Sequence, residues 1–385
     1  MRIFAVRIFA APFALTLAFV GLVACHRGTE VLGHETPKAS CSDDQQGRAP
    51  DGSCVPCTEG TYLSPAGTCD PIAGTALSHE FPEGSIGPGE EQTGGCRSWT
   101  LGNETELWVN AVELVQDEDS HHSNWVFVPE DKYVGPDGEW PCADRGYEFY
   151  AAVNQGGLLY AQSTQAPHEV QKFPEGAAIR VPPHVRIISD VHRLNATSEG
   201  VTGTAKLTLY AVDPSAVTTP LTAFHIEYDA LDLPPLSSSR FTGDCRVAGD
   251  VESETDAPFA PQVYYVLPHT HTHATAFYAA VSGGVSDGVP LLDLGGYNGE
   301  AHGKVFDPPV DMTGATGFTF YCQYDNPTAD HIGWGVGTDE MCEMFGFASG
   351  TVFFQSGVVS GHSDGAEGDV QLFTGECTTT VLDGK

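Results

Sequence analysis

The chain of 385 residues has few basic side chains: 17 lysines and arginines stand against 51 aspartates and glutamates, for a formal net charge of −34. A protein this acidic has little attraction for nucleic acid or for anionic membrane surfaces, so neither is expected as a partner. The acidic residues are scattered rather than grouped in blocks, which is typical of the surface of an exported protein.

The sequence also lacks a helical hydrophobic period, an internal repeat and, beyond its first residues, any apolar run of membrane-spanning length. Its 44 glycines and 26 prolines separate β-branched and aromatic runs, which favours an all-β protein. The predicted strands of its first half are Leu107 to Val115, Trp125 to Val128, Tyr147 to Val153, Ala178 to Val181, Val185 to His192 and Thr204 to Val212.

The first 24 residues resemble a lipoprotein signal peptide, in which two arginines precede an apolar run ending Leu22-Val23-Ala24-Cys25. Cys25 is then the lipidated first residue of the mature protein, and the lipid is the only predicted contact with a membrane. By resemblance to Gram-negative lipoproteins, His26 in place of an aspartate indicates the outer membrane within the cell envelope. An uncleaved anchor, or a chance cysteine after a plain signal peptide, is the alternative.

Apart from Cys25 there are ten cysteines, an even number that suggests five disulfides in an oxidising compartment. Residues 25–40 are predicted to be a tether. Residues 41–71, with Cys41, Cys54, Cys57 and Cys69, are predicted to form a small stalk module held by two disulfides, with a zinc knuckle as the alternative. Residues 72–95 are rich in Gly, Pro and Glu and are predicted to be a linker.

A run of alternating histidines and threonines lies between two strand-like segments, Val263 to Val266 and Ala274 to Val281. In one continuous strand, His269, His271 and His273 would share a face, because side chains alternate between the two faces. Imidazoles spaced in this way can hold a metal ion. A histidine-rich exposed strand that binds nothing is the alternative.

Two further groups of histidines are candidate ligands. His121 and His122 are adjacent, so they can bind one ion only at a bulge or at a strand end, and a solvated loop pair is the alternative. His192 ends an apolar strand, where alternation places Asp190 on the same face as a candidate acceptor for its ring N–H. His192 as a plain surface histidine is the alternative reading.

Methionine is scarce, with 4 in the whole chain, and two of these, Met341 and Met344, lie in the stretch Gly337 to Phe345. A thioether is a soft ligand that favours Cu(I) over zinc or hard cations. A core methionine beside a disulfide is the alternative.

These motifs occur in the order His121-His122, Val191-His192, His-Thr-His, His331-Ile332-Gly333-Trp334-Gly335 and Asp339-Glu340-Met341-Cys342. In this order they resemble the copper type II, ascorbate-dependent monooxygenases, the family of peptidylglycine α-hydroxylating monooxygenase and dopamine β-monooxygenase. The resemblance extends from Cys96 to Cys377, which is most of the mature chain.

The resemblance implies two tandem jelly-roll-like β-sandwich domains, residues 96–217 and 218–385, with two copper ions per chain. It implies that His121, His122 and His192 hold an electron-transfer copper. Met341 and two histidines of the 269–273 run would hold the catalytic, O₂-binding copper. The implied reaction is hydroxylation of a C–H bond in a small-molecule substrate with O₂ and an ascorbate-like reductant.

The resemblance leaves the second histidine pair open. The Leu-Pro that precedes His269 is similar to bacterial members of the family and favours His269 with His271, and the alternative is His271 with His273. It also implies three disulfides, which are Cys96–Cys142, Cys245–Cys377 and Cys322–Cys342.

The residues with which the amidating enzymes bind their substrate are not retained. Leu267, or His269 if the pair is His271 with His273, stands where those enzymes have an arginine for the substrate carboxylate, and Glu343 and Phe345 replace an asparagine and a tyrosine. A peptide with a terminal carboxylate is therefore not an expected substrate. A non-catalytic lipoprotein for copper storage or delivery is the second functional hypothesis, and a structural surface module is the third.

Overall fold

The structure is a computed structural model that describes residues 46–49, 53–117, 120–195, 197–296, 301–350 and 352–383. The predicted signal peptide, Cys25, the tether and Cys41 lie outside these residues and stay predictions. Within the described residues, no helix has the length and apolar character needed to span a bilayer.

The cysteine-rich module consists of two hairpins, built from strands β1 (Gln46–Arg48) and β2 (Cys54–Pro56), and β3 (Thr61–Leu63) and β4 (Cys69–Pro71). Cys57 and Cys69 form a disulfide, and Cys54 is also disulfide-bonded, so these cysteines do not form a zinc knuckle. The module does not stand apart as a stalk, because the backbone N–H of Gly60 donates to Oε1 of buried Glu113 (2.7 Å) in the neighbouring sheet.

Among its described residues, the first half of the remaining chain contains ten strands and one short α-helix. The strands are β5 (Thr75–Ile86), β6 (Glu91–Thr100), β7 (Leu107–Gln116), β8 (Ser120–Pro129), β9 (Gly138–Pro141), β10 (Gly157–Ala161), β11 (His168–Lys172), β12 (Ala177–Val181), β13 (Val185–Leu194) and β14 (Val201–Val212), and the helix is α1 (Phe149–Gln155). A five-stranded sheet has the order β10-β8-β13-β6-β9.

In the part of the second half that the structure describes there are fourteen strands and a second short helix. They are β15 (Thr219–Tyr228), β16 (Asp232–Leu233), β17 (Ser237–Cys245), α2 (Ala248–Thr255), β18 (Gln262–Thr270), β19 (Ala274–Gly283), β20 (Pro290–Gly295), β21 (Lys304–Asp311), β22 (Ala315–Asn326), β23 (Ile332–Gly333), β24 (Cys342–Ser349), β25 (Val352–Val358), β26 (His362–Glu367), β27 (Val370–Glu376) and β28 (Thr378–Asp383). A six-stranded sheet has the order β20-β19-β22-β17-β27-β26.

An eleven-stranded sheet contains strands from both halves, along the path β21-β18-β24-β15-β12-β7-β14-β5. The two halves join where β12 pairs in parallel with β15. One hydrophobic core lies between this sheet and the five-stranded sheet, with Trp125 and Leu207 among its members, and a second core contains Phe224 and Phe320. The all-β prediction is confirmed, and the described residues belong to one compact unit.

The predicted linker at residues 72–95 was wrong. Strand β5 pairs with β14 along most of its length, and Phe81 points into the core. As the last strand of its sheet, β5 has one side free of partners, which is where proline and glycine are tolerated. Pro82 and Gly84 occur in this strand beside an irregularity in the pairing. Because both residue types are depleted in strands, the sequence did not indicate a strand here.

The predicted strand from Tyr147 to Val153 was also wrong, because most of it forms helix α1. The side chain of Glu148 caps this helix by accepting from the backbone N–H groups of Tyr150 and Ala151, at 3.2 and 2.8 Å. The helix presents Phe149 and Tyr150 to the cavity described below.

The three disulfides implied by the resemblance are present as Cys96–Cys142, Cys245–Cys377 and Cys322–Cys342. The first links β6, which pairs with β13, to the segment after β9. The last joins β22 to the first residue of β24, immediately after Met341.

Candidate metal centre

His121 and His122 lie in β8, where the pairing with β13 is irregular. His192 is opposite His122 and Arg193 is opposite Ser120, so His121 is an extra residue in the ladder. A bulge of this kind turns two consecutive side chains toward one side, which a regular strand does not allow. The ring centroids of His121 and His122 lie 4.7 Å apart. The bulge that two adjacent histidines need in order to bind one ion is therefore present.

His192 faces His122 directly across the ladder, and its Nδ1 lies 3.2 Å from Nε2 of His122. Its Nε2–H donates to Oε1 of Glu91 at 2.6 Å, which leaves the lone pair of Nδ1 directed at the other histidines. The acceptor that orients this ring is therefore Glu91 and not the predicted Asp190. Glu91 lies in the segment predicted to be a linker, so no sequence signal identified it.

The prediction that three histidines share one strand face was wrong. Strand β18 ends at Thr270, the chain turns through Thr272 and His273, and β19 begins at Ala274. The carboxylate of buried Glu340 accepts the backbone N–H groups of His271 (2.9 Å) and His273 (2.7 Å), in place of continued strand pairing.

His269 and His271 are the members of this run that face the other histidines. The Nδ1–H of His271 donates to the backbone carbonyl of Asp339 (2.7 Å), and its Nε2 is buried without a partner. Nδ1 of His269 lies 3.2 Å from Oγ of Ser163. Among the described residues, His273 belongs to neither group of converging ligand atoms, so the structure brings together the favoured pair.

Five histidines converge in one cluster, which we call the histidine cluster. Two groups of three, His121–His122–His192 and His122–His269–His271, share His122, and within each group the candidate ligand atoms lie within 4.8 Å of one another. The rings of His122 and His269 are 4.8 Å apart between centroids. The two predicted ligand sets, which the sequence assigned to different domains, are therefore in direct contact.

Burial favours the neutral imidazole in four members of the cluster, His121, His122, His192 and His269. It lowers the pKa of His121 to about 4, with further lowering from His192 and His271. Burial, followed by repulsion from His269, holds the pKa of His122 well below its ordinary value, and burial has the same effect on His269. Burial also lowers the pKa of His192, against the opposing effect of Glu91. Neutral imidazole is the form that binds metals.

Met341 lines a cavity of about 210 Å³ together with His122, His192 and His269. The hydroxyl of Tyr324 donates to the backbone carbonyl of Met341 (2.6 Å), and the disulfide at Cys342 anchors the next residue. The backbone that carries the thioether is thus held on both sides, by a hydrogen bond and by a cross-link.

The rest of the cavity is mainly aromatic and apolar, and two acidic residues, Asp190 and Glu343, also line it. Of the residues singled out by their departure from the amidating enzymes, Glu343 and Phe345 face the cavity, whereas Leu267 is buried in the core. The lining contains no lysine or arginine, and its other apolar members are Phe149, Tyr150, Val191, Trp334 and Val336.

No family model matches the sequence, and no curated protein matches it. Two solved structures of low similarity are the major capsid protein P2 from bacteriophage PM2 and the PBSX exported protein XepA. The alignment with the capsid protein covers 71% of this chain and 97% of the capsid protein, with 8% sequence identity and a TM-score of 0.30. The alignment with XepA covers 82% of this chain and 100% of XepA, with 7% sequence identity and a TM-score of 0.19. Scores this low support no inference about function.

Proposed function

We propose that the protein is a copper-dependent monooxygenase of the ascorbate-dependent type, which hydroxylates a C–H bond of a small molecule. The observation that carries the proposal is the convergence of five largely buried histidines beside a cavity that three of them, His122, His192 and His269, line together with Met341. When bound there, copper would supply one-electron redox chemistry and the activation of O₂.

The donors available suit copper better than hard cations. Within the described residues, both groups of the histidine cluster consist of imidazoles alone, and the nearby thioether of Met341 is a soft ligand. Two ring nitrogens, Nδ1 of His121 and Nε2 of His271, are buried without a hydrogen-bond partner. Buried polar atoms of this kind are costly unless a ligand satisfies them.

We assign two copper ions to the cluster. His121, His122 and His192 would hold one, and His269, His271 and Met341 the other. The residues around them fix the ring orientations, with Glu91 on His192 and the Asp339 carbonyl on His271. The contact between the rings of His122 and His269 provides a short route for an electron between the two ligand sets.

The cavity wall indicates the type of substrate. Aromatic side chains of Phe149, Trp334 and Phe345 suit an apolar group, and Glu343 and Asp190 would repel an anion. The expected substrate is therefore a small apolar molecule that is uncharged or cationic. A peptide with a free terminal carboxylate remains excluded, as the sequence suggested.

The proposal is tested by oxygen uptake. Copper-loaded protein with ascorbate and a panel of neutral and cationic aromatic or aliphatic compounds is expected to consume O₂ and to yield a hydroxylated product, identified by mass spectrometry with ¹⁸O₂. Uptake without incorporation of ¹⁸O into any compound would count against a monooxygenase.

One observation favours copper storage or delivery as a second candidate function. The two ligand groups share His122, so they are not independent in this arrangement. A storage protein would bind copper and exchange it with a chelator, but it would show no ascorbate-dependent O₂ uptake above that of free copper at the same concentration.

Copper binding is expected to depend little on pH between about pH 7 and pH 5. A histidine with the ordinary pKa of about 6.5 binds protons in this range, which compete with the metal. The pKa of His121 is lowered to about 4, and those of His122 and His269 are well below normal, so these ligands stay unprotonated. Copper retained after dialysis at stepped pH checks this, with a hexahistidine peptide as the control. A midpoint of copper loss near that of the peptide would contradict the expectation.

A further inference from the structure

A second cluster of potential ligands lies beside the cavity and takes no part in the proposed copper chemistry. His225 and Glu227 are two residues apart in β15 and therefore share a face, and Glu343 of β24 lies directly opposite Glu227. The three residues are 0%, 3% and 6% exposed. Their candidate ligand atoms lie within 4.8 Å of one another.

The imidazole of His225 is held in place but is not satisfied. Its ring stacks on Phe345 with 4.3 Å between centroids, and its Nδ1 lies 3.4 Å from the hydroxyl of Tyr150. Its Nε2 is buried and has no hydrogen-bond partner. The nearest carboxylate oxygen, Oε2 of Glu343, is 3.6 Å away, which is longer than a hydrogen bond.

The cluster also contains more carboxyl groups than basic partners. Asp229 lies next to Glu227, since side-chain oxygens of both residues approach Gly357. Its Oδ1 is a second buried atom without a partner. Glu227 accepts hydrogen bonds from the hydroxyl of Tyr150 (3.1 Å) and from Gln355, but within the described residues the ion pairs of Glu227 and Glu343 are with His225 alone. Buried charges left unpaired in this way are unfavourable.

We propose that His225, Glu227 and Glu343 form a binding site for one divalent cation, separate from the histidine cluster. One imidazole nitrogen with two carboxylates is a harder donor set than imidazoles with a thioether, and it suits Zn²⁺ or Mn²⁺. The cation would satisfy Nε2 of His225 and neutralise the carboxylates. Gln355, which donates a hydrogen bond to Glu227, would orient that ligand.

The position of Glu343 explains how the two sites remain distinct. In the large sheet, β24 lies between β15 and β18, so Glu343 is opposite Glu227 on one side and opposite His269 on the other. The cation site therefore lies one strand beyond the proposed copper ligand His269. A bound cation would also reduce the negative charge that Glu343 presents to the cavity.

The test uses the full chain after its histidine cluster has been saturated with Cu(I) in the absence of O₂. Zn²⁺ and, in a separate sample, Mn²⁺ are then added. Zinc per chain is measured by mass spectrometry after desalting, and Mn²⁺ binding by the loss of the free-ion electron paramagnetic resonance signal. The expected result is one additional divalent ion per chain, which is lost in Glu227→Gln and in His225→Asn while the copper content is unchanged.

Glu113→Gln is the matched control, because Glu113 is also a buried carboxylate beside a histidine, but both ring nitrogens of that histidine, His168, are hydrogen-bonded, to Cys57 and to Glu113. This variant should keep the additional ion. The proposal is overturned if wild-type protein takes up neither Zn²⁺ nor Mn²⁺, a result that needs no variant to fold. It is equally overturned if folded Glu227→Gln and His225→Asn bind as much as wild type. Copper is measured in the same samples, so failure of the cation site is distinguishable from failure of the copper proposal.

Discussion

Replacing His122 by alanine is expected to reduce the copper content from about two ions per chain to one or none and to abolish ascorbate-driven turnover. His122 belongs to both groups of the histidine cluster, and its ring contacts those of His121, His192 and His269. Loss of an outer hydrogen-bond partner of a metal ligand costs roughly 10–100-fold in affinity or activity, and loss of the shared ring itself should exceed that. Metal analysis and O₂ uptake measure the two effects.

His273→Ala is the control for this experiment, because His273 is close in sequence but outside both groups. Its contact with Glu340 is made by the backbone N–H, which alanine retains. This variant should keep both copper ions and near-normal turnover. Equal copper loss in the two variants would show that the cluster is not the binding site, and wild-type protein with a copper ratio near zero would overturn the functional proposal.

Replacing Met341 by alanine is expected to weaken Cu(I) binding at one site far more than Cu(II) binding, and to stop hydroxylation. The thioether is the soft donor at the cavity, and soft ligands favour the reduced ion. Met341→His should retain copper but lose activity, because a third imidazole shifts the balance toward Cu(II). Cu(I) affinity is measured by competition with a chromophoric chelator under anaerobic conditions.

Met344→Leu is the control that distinguishes loss of the Met341 thioether from a general disturbance of β24. Met344 is fully buried in the second core, and exchange of methionine for leucine conserves volume at a cost below about 1.5 kcal/mol. This variant should bind Cu(I) as wild type does. If Met341→Ala also binds Cu(I) with unchanged affinity, then Met341 is not a copper ligand.

Much of the candidate site could be predicted because its chemistry is local. The pair His121-His122, the run from His269 to His273 and Met341 beside Cys342 are each visible within a few residues. The sequence also predicted that adjacent histidines need a bulge, and the ladder between β8 and β13 skips His121. The three disulfides followed from the resemblance alone, since spacing does not assign pairs.

The wrong predictions concern segments in which interactions with residues distant in sequence outweighed local composition. The segment from Thr75 to Ile86 has the glycine, proline and acidic residues of a linker, yet it forms an edge strand because β14 offers it a partner. The residues after Thr270 have the composition of a strand, yet the strand ends at Thr270. The carboxylate of Glu340 accepts two of their backbone N–H groups, which therefore do not pair with a neighbouring strand. Local patterns contain no information about either partner.

The sequence by itself determined the all-β class, the acidity of the chain and the types of candidate ligand, because composition and short-range spacing carry these properties. The tertiary structure decided that the two histidine sets meet at His122, that Glu91 rather than Asp190 orients His192, and that His225, Glu227 and Glu343 come together. Such contacts join residues about 100 positions apart, for example His192 and Glu91, which are separated by 101. Strand register and the order of strands in a sheet bring them together, and both depend on packing of the whole chain.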